Sequence, residues 1–278
     1  MLNFDAEDEL ARPGAMTPSP RLRDRFAELA RRTGLVGPDD HRLDEFAPAE
    51  RAWRGLLGAA WCPTPRALRA LAAAGALLPE APTVEALRAA NHRRLMDGRL
   101  APLPGARYVH TRAEYEDAVA RGSITGAWLL KRAYSYNGRG RCRWREDAED
   151  AHVARWVDAA LATGEGLQVE PEVPRTLDLG VHGEITRDGE VRCGALTVQR
   201  CDAFGAWAAT EIAPEGTLTD AEARQLEAAL GAVVAALRAV GYFGAFGVDA
   251  YRWTGGFVPC CDVNARYTMG WAVGMAGR

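Results

Sequence analysis

Three side chains that could bind a metal ion lie close together near the C-terminus: Asp249, Asp262 and Asn264. They fall on a predicted hairpin, and a turn centred on residues 254–255 would set Asp249 opposite Cys260. Because side chains alternate along a strand, residues 260, 262 and 264 share a face, so the three polar side chains project to one side. Their oxygens suit Mg²⁺ or Mn²⁺ held jointly with phosphates. A solvated outer face is the alternative, although Asp and Asn are poor strand residues.

Two further residues bear on this hairpin. Arg266 follows Asn264 by two positions, so it extends the same face with a positive charge. Pro259 lacks the N–H that a strand ladder needs and can bulge the strand. The predicted pairing of the two strands therefore depends on a regular ladder at Pro259.

A second candidate site begins at Lys131, which is the one lysine among the 34 basic residues. Lys131 lies on a predicted buried strand, 127–133, and a glycine-rich loop follows at 134–143. Glycines let backbone N–H groups approach phosphate oxygens, and arginines and a strand-borne ammonium add charge for the same anion. A flexible, arginine-rich surface turn is the alternative. The loop residues singled out are Ser135, Asn137, Gly138, Arg139, Gly140 and Arg141.

A third candidate is the predicted strand 167–173, which ends in Glu170, Pro171, Glu172 and Val173. Such a segment can hydrogen-bond an adenine edge through its backbone and a ribose through a carboxylate. The alternative is an ordinary strand exit with solvated glutamates. The pattern by itself favours this second interpretation.

The elements that must position these residues show alternating strand and helix signals. Capping residues predict helices over 19–34, 64–75, 83–96, 111–121 and 219–241, and an apolar stripe that ends before Gly164 predicts one over 146–163. An apolar run predicts a short strand over 56–61, and Asp188-Gly189 predicts the turn of a hairpin over 177–197. Residues 1–18 show no periodicity, so we expect a loose tail there.

Composition excludes several classes of function. The 278 residues carry a net charge of −3, which argues against nucleic-acid or anionic-membrane binding. The six cysteines and five histidines are dispersed, so neither a disulfide framework nor a zinc site is expected. Neither a signal peptide nor a membrane span is recognisable, and we expect a cytoplasmic protein.

Taken together, the strand lysine with its glycine-rich loop, the acidic strand end and the hairpin with Asp…Asp-x-Asn resemble the nucleotide site of the ATP-grasp superfamily. The resemblance covers about residues 80–270, and its most specific part is 241–270. It implies an α+β fold in which two α+β subdomains enclose the nucleotide, with a short N-terminal α/β domain. The expected boundaries are a disordered tail over 1–18, the N-terminal domain over 19–105, and the two subdomains over 106–175 and 176–278.

The resemblance also implies a role for each candidate residue. Lys131 would contact the α- and β-phosphates of ATP, and residues 135–141 would fold over the β- and γ-phosphates. Residues 170–173 would bracket adenine, and Glu172 or Asp178 would hold the ribose. The metal ligands would be Asp249, Asp262 and Asn264. Arg266 would stabilise the transferred phosphoryl group or the acyl phosphate. His182, Arg200 and Arg266 would contact the acceptor substrate, and plain surface is the alternative for His182 and Arg200.

The implied reaction is ATP-dependent joining of a small carboxylate to an amine, such as an amino acid or peptide, through an acyl phosphate. It needs positioning and charge neutralisation but no protein nucleophile. A non-catalytic ATP-binding scaffold and a kinase-like phosphotransferase remain alternatives. Dimers are frequent in this superfamily, so the resemblance extends to a homodimer.

The sequence departs from the family pattern at two places. The family typically has a glutamate where Asp262 stands, and the shorter side chain reaches less far. The family also commonly has an earlier second lysine near the domain junction, where this chain offers Arg93 or Arg94. Arginine keeps the charge but changes its geometry.

Overall fold

The computed structural model describes residues 1–12, 19–43, 53–100, 103–135, 138–146, 151–202 and 207–277. Within these ranges the chain forms an N-terminal helical part and two antiparallel sheets. The helices are α1 (Ala6–Ala11), α2 (Pro20–Arg32), α3 (Pro65–Ala73), α4 (Val84–Asn91), α5 (Arg112–Ala120), α6 (Ala151–Leu161), α7 (Asp220–Ala239) and α8 (Trp271–Gly274), with a 3₁₀ turn at Arg93–Met96. The strands are β1 (Arg107–Val109), β2 (Ala127–Arg132), β3 (Arg141–Arg145), β4 (Leu167–Pro171), β5 (Arg175–Ile185), β6 (Val191–Cys193), β7 (Thr197–Cys201), β8 (Trp207–Ile212), β9 (Gly244–Trp253) and β10 (Gly256–Asn264).

Five of the six predicted helix starts are confirmed by side-chain caps, and the start predicted at 146 is followed by residues outside the described part. In α2, α3, α4, α5 and α7 the residue before the helix accepts a hydrogen bond from the backbone N–H three positions further on. Thr111 and Thr219 form complete capping boxes with Glu114 and Glu222. Each cap stabilises its helix by about 1 kcal/mol, so these boundaries are set locally.

The expected loose tail over 1–18 is wrong for the residues that the structure describes. Residues 6–11 form α1, and Phe4 and Leu10 are buried. The Phe4 ring packs edge-on against Trp61, with 4.7 Å between ring centroids, and against Phe26 at 5.6 Å. Aromatic contacts with residues further along the chain therefore hold this segment in place. Residues 13–18 lie outside the described part.

The strand expected over 56–61 is also absent. Its one ladder contact is an isolated bridge between Leu57 and Leu77. Leu57 is 87% exposed and has no partner strand among the described residues, whereas Ala60 and Trp61 at the end of the run are buried. The described residues before Arg107 contain helices and no strand, so the N-terminal part lacks the expected α/β character there.

The first sheet has the order β1-β4-β2-β3 and is covered on one face by α5 and α6. Trp128 and Leu130 of β2 and Val169 of β4 point into this core. Because side chains alternate along a strand, Lys131 and the facing Glu170 lie on the opposite, uncovered face.

The second sheet has the order β10-β9-β5-β7-β8, with β6 paired to β5. Leu179, Val181 and Ala250 pack against Leu226 of α7 on one face. The central hairpin turns at Asp188-Gly189 as predicted, whereas β7 and β8 were not predicted at all. Alternation places the polar residues of β5, β7 and β9 on the face away from α7.

The C-terminal hairpin contains a bulge. Val258 pairs with Tyr251, but after Pro259 the pairing shifts and Asp262 faces Asp249. The predicted pairing of Asp249 with Cys260 is therefore wrong, because proline cannot donate to the ladder. The shift is an even number of residues, so the side chains keep the predicted face.

Among the helices that the structure describes, none combines the length and apolar character needed to cross a bilayer.

Candidate functional site

The uncovered faces of the two sheets line one cleft of about 350 Å³. This cleft brings together most of the residues singled out from the sequence: Lys131, Ser135, Gly138, Arg141, Glu170, Glu172, Val173, Asp178, His182, Asp249, Asp262, Asn264 and Arg266. Arg139, Gly140 and Arg200 do not line it, and Asn137 lies outside the described residues. Three segments far apart in the chain thus meet in one polar site.

Lys131 and Glu170 form a buried ion pair on the first sheet. Lys131 Nζ lies 2.5 Å from Glu170 Oε1, and the two side chains are 2% and 6% exposed. Gln168 Nε2 donates to the other Glu170 oxygen at 2.7 Å. Burial lowers the pKa of Lys131, and Glu170 opposes that shift. The Glu170 carboxylate therefore pairs with the lysine, and the expected role of residues 170–173 around a base stays a prediction.

The glycine-rich loop is held against the cleft by its own backbone. Gly138 and Gly140 have φ of 77° and 64°, a region that favours glycine. The Arg132 N–H donates to the Gly140 carbonyl at 2.9 Å. A Cβ at Gly140 would lie 2.9 Å from the Ser135 Cβ, closer than such atoms approach. Glycine is thus required where the loop folds back on itself.

The strand end after Glu170 presents two carboxylates that arginines hold. Glu172 Oε1 lies 2.5 Å from Arg143 Nε, and Asp178 Oδ1 lies 3.1 Å from Arg175 Nη1. The Arg175 guanidinium also stacks on Tyr251, 4.0 Å from the ring centroid. The result is a flat, partly apolar wall with carboxylates at its edge.

Val173 completes this wall. It packs with Tyr251 and Val258, and both Val173 and Tyr251 line the cleft. An apolar surface beside a strand end suits a planar heterocycle.

The face with Asp249, Asp262 and Asn264 is the acidic side of the cleft. Asn264 Nδ2 donates to Asp249 Oδ2 at 3.2 Å, and Gln199 Nε2 donates to Asp249 Oδ1 at 2.9 Å. Gln199 reaches Asp249 across Gly180, where a Cβ would collide with the Gln199 amide. No group of three or more His, Cys, Asp or Glu residues forms a metal cluster in the described part of the chain, so two carboxylates and one amide are the candidate ligands.

The two carboxylates differ in charge environment. Burial raises the pKa of Asp249, and Asp262 adds to this effect. Burial would also raise the pKa of Asp262, but Arg93, Lys131 and Arg141 together hold it below its usual value. Arg93 Nη1 lies 3.0 Å from Asp262 Oδ1. One carboxylate therefore has an arginine partner and the other has amide partners.

Arg93 occupies a central place beside this pair. Its Nη2 donates to Ser135 Oγ at 2.6 Å and its Nε donates to the Arg132 carbonyl at 3.0 Å. The arginine thus ties the glycine-rich loop to the acidic face. Arg94, the other residue considered for this place, is exposed.

Arg266 lies at the end of the acidic face and is 8% exposed. Its Nε donates to Glu7 Oε1 at 2.5 Å, its Nη2 to Asn264 Oδ1 at 2.9 Å and its Nη1 to the Tyr267 carbonyl at 2.9 Å. Its guanidinium carbon lies 5.0 Å from the centre of a Trp61 ring. Arg266 is therefore oriented from several sides.

Of two residues expected to contact an acceptor substrate, one lines the cleft and the other lies outside it. His182 lies at the floor of the cleft and is 1% exposed, with Nδ1 2.7 Å from Thr268 Oγ1 and Nε2 3.3 Å from Thr197 Oγ1. Burial lowers its pKa to about 4, so it is neutral at pH 7. Arg200 is exposed and pairs with Glu211 at 2.9 Å, outside the cleft. His182 packs the sheet, and Arg200 belongs to the surface.

Sequence reasoning missed Glu7 and Arg175. Glu7 lies in the segment expected to be a loose tail, and no local pattern marks it, because its partner Arg266 is far along the chain. Arg175 directly follows Pro174 at the start of β5, and its role depends on the tertiary approach of Tyr251. In both cases the signal is a long-range contact.

Comparisons with known proteins concern the fold. No protein-family model matches the sequence, and no curated protein matches it. Solved structures of ATP-grasp enzymes do match. D-alanyl-alanine synthetase A from Vibrio cholerae is 15% identical with a TM-score of 0.51, over 73% of this chain and 63% of that chain. N5-carboxyaminoimidazole ribonucleotide synthetase from Thermus thermophilus is 22% identical with a TM-score of 0.50, over 73% and 51%.

Pyruvate carboxylase from Rhizobium etli is 22% identical with a TM-score of 0.55, over 76% of this chain and 19% of that chain. The chain spans less than two thirds of the length of each of these three structures. The match agrees with the two antiparallel α+β layers that enclose the cleft. The protein has the ATP-grasp fold.

Proposed function

We propose that the protein is an ATP-dependent, Mg²⁺-requiring ligase that joins a small carboxylate to an amine through an acyl phosphate. One observation carries this proposal: the cleft sets Lys131 on one sheet against Asp249, Asp262 and Asn264 on the other. A cation for phosphates and a cluster of oxygen ligands for a metal then face the same volume. The fold supports the reaction class, because phosphoryl transfer needs such positioning more than it needs a protein nucleophile.

The acidic face fits a divalent cation. Asp249 has no Lys, Arg or His within salt-bridge distance among the described residues. Burial raises its pKa, so a bound cation would stabilise its charged form. Two facing carboxylates with an amide oxygen beside them form a hard oxygen donor set, which suits Mg²⁺. Asp249, Asp262 and Asn264 would hold the ion, which would neutralise phosphate charge during transfer.

The rest of the cleft suits a nucleotide. Lys131 and Arg141 place positive charge beside the glycine-rich loop, whose backbone would cover the phosphates. Val173 and Tyr251 offer an apolar wall for the base, and Glu172 or Asp178 lies at its edge for the ribose. The sequence resemblance implies the same roles for these residues, and Glu170 in addition pairs with Lys131.

The chemical steps need no covalent bond to the protein. An oxygen of the substrate carboxylate attacks the γ-phosphorus, and ADP leaves. The amine then attacks the acyl carbon, phosphate leaves, and the nitrogen loses a proton. Lys131 and Arg93 would hold the phosphates in line, and Arg266 would stabilise charge on the transferred group. Arg93 would exchange its contact with Asp262 for one with phosphate when the metal site fills.

Release of ADP tests the proposal. Purified protein is incubated with Mg²⁺, ATP and a panel of amino acids, dipeptides and simple amines, each alone and in pairs. A ligase releases ADP at a higher rate only when a carboxylate and an amine are both present. Release with a carboxylate alone indicates kinase-like transfer. Binding of Mg·ATP without turnover on any pair indicates a non-catalytic scaffold and overturns the proposal.

A further inference from the structure

A continuous chain of hydrogen bonds joins the N-terminal helix to the acidic face of the cleft. Glu7 of α1 accepts from Arg266 Nε at 2.5 Å, and Arg266 Nη2 donates to Asn264 Oδ1 at 2.9 Å. Asn264 Nδ2 donates to Asp249 Oδ2 at 3.2 Å, and Gln199 supports the other Asp249 oxygen at 2.9 Å. The chain starts in a segment far from the metal face in sequence and ends on its ligands.

The N-terminal part also holds the backbone on either side of this arginine. The Ala265 N–H donates to Asn91 Oδ1 at 3.0 Å, and Asn91 Nδ2 donates back to the Ala265 carbonyl at 3.2 Å. The Tyr267 N–H donates to the Trp61 carbonyl at 3.0 Å. Between these two residues lies Arg266, whose side chain donates to Glu7. Three successive residues after β10 are therefore held by the N-terminal part.

The donors and acceptors in this chain determine which way the Asn264 amide points. A guanidinium only donates, so the atom that faces Arg266 is the amide oxygen. A carboxylate only accepts, so the atom that faces Asp249 is the amide nitrogen. An amide oxygen has two lone pairs, and Arg266 uses one of them. The second lone pair of Asn264 Oδ1 stays available for a cation.

Glu7 is the group that keeps Arg266 in this place. It is 3% exposed, and its Oε2 has no hydrogen-bond partner among the described residues. Arg266 lines the same cleft as Asp249 and Asp262, the proposed metal-ligand carboxylates, and an unrestrained guanidinium would compete with a metal ion for them. The bond from Nε to Glu7 and the stacking on Trp61 hold the guanidinium plane in the orientation that serves Asn264 instead.

We infer that Glu7 is a positioning residue for the metal site, which it acts on through Arg266 and Asn264. The N-terminal helix is then a working part of the cleft. This inference rests on the proposed function, because it needs a divalent cation on Asp249, Asp262 and Asn264. It adds Glu7 and helix α1 to the site residues that the sequence resemblance implies.

The test is Mn²⁺ binding, measured by electron paramagnetic resonance of free Mn²⁺ in the presence of a non-hydrolysable ATP analogue. We compare wild type with Glu7→Gln, which keeps the shape of the side chain and removes its charge. The matched control is Glu9→Gln on the same helix. Glu9 is 8% exposed and accepts from the Arg66 N–H at 2.9 Å, away from the metal face. The two variants remove one buried carboxylate each.

Glu7→Gln should weaken Mn²⁺ binding by about tenfold or more, the usual effect of removing a group that orients a metal ligand. Glu9→Gln should leave Mn²⁺ binding unchanged. Arg266→Gln should show the same loss as Glu7→Gln, and the double variant should lose no more than either single variant. Saturating Mn²⁺ should restore most of the turnover of Glu7→Gln, since the defect lies in metal occupancy.

Three results would overturn the inference. Wild-type Mn²⁺ affinity in a folded Glu7→Gln is one, and an equal loss in Glu9→Gln is another, because it would indicate a general effect of destabilising α1. Where Glu7→Gln does not fold, Glu7→Asp takes its place and should show an intermediate loss; no loss is the third. Wild-type protein that binds nucleotide but no Mn²⁺ overturns the proposed function itself, so the two failures are distinguishable.

Discussion

Asp249 and Asp262 face each other directly across the ladder between β9 and β10, although Pro259 interrupts that ladder. The bulge shifts the pairing by an even number of residues, so both carboxylates stay on the cleft face. Burial raises the pKa of Asp249, and the charge of the facing Asp262 adds to this shift. Arginines and Lys131 hold the pKa of Asp262 down. A cation between the two carboxylates would relieve their repulsion.

Asp249→Ala should therefore abolish Mg·ATP turnover without unfolding the protein. The Asp249 side chain opens on the cleft. The substitution removes a carboxylate whose charged form is disfavoured by burial, so the melting temperature should change by only a few degrees. Turnover is measured as ADP release and folding by circular dichroism. Glu190→Ala is the control, because Glu190 pairs with Arg192 at an exposed turn and its loss should change neither quantity. Unchanged turnover in Asp249→Ala would remove the metal assignment.

The shared face of Asp249, Asp262 and Asn264 was predictable from the sequence because it depends only on parity along a strand. Their partners were not predictable in the same way. The pairing of Asp262 with Arg93 depends on how the 3₁₀ turn at Arg93–Met96 approaches β10, which no local spacing encodes. Helix starts were predictable because they depend on local contacts: a cap such as Thr219 and its partner Glu222 lie within one turn.

The N-terminal segment shows where local reasoning fails. Asp5, Glu7 and Glu9 have the composition of a solvated tail, yet all three are buried. Arg66 and Arg266 pair with them, and both arginines come from distant parts of the chain. Acidic residues are buried only when they are paired, so their burial could not be inferred before the partners were known.

A comparison of two neighbouring residues tests the phosphate contact. Lys131→Ala should weaken ATP binding by about tenfold more than Arg132→Ala, since a charged hydrogen bond contributes roughly 1.5–3 kcal/mol. Lys131 faces the cleft, whereas the Arg132 guanidinium stacks on Trp156, 5.1 Å from the ring centroid. Isothermal titration calorimetry with Mg·ATP gives both affinities. Equal losses would indicate that the lysine has no special role.

The pair of Lys131 and Glu170 also makes a prediction about stability. Both side chains are buried, so Lys131→Met leaves Glu170 as an uncompensated charge and should lower the free energy of unfolding by about 3–5 kcal/mol. Adding Glu170→Gln should recover most of that loss, because a neutral amide still accepts from Gln168. Urea titrations of the single and double variants measure this. Losses that simply add would contradict the coupling.

The last prediction concerns His182 and acid. Burial lowers the pKa of His182 to about 4, below the 6.5 of an exposed histidine, so the fold favours its neutral form. A lowered histidine pKa means that stability is complete above pH 6.5 and is lost as the pH falls toward 4. Between pH 7 and pH 5 this one group should cost about 2 kcal/mol of unfolding free energy.

His182→Gln isolates this contribution. Glutamine can still hydrogen-bond Thr197 or Thr268 but does not titrate, so the variant is expected to be less stable than wild type at pH 7 and to lose less stability on acidification. His152→Gln is the control, because it makes the same substitution at an exposed position on α6 outside the cleft. Urea unfolding at pH 7 and pH 5 gives the difference in unfolding free energy between each variant and wild type at each pH. A wild-type pH dependence in His182→Gln would mean that other groups, such as the buried carboxylates, govern the loss of stability in acid.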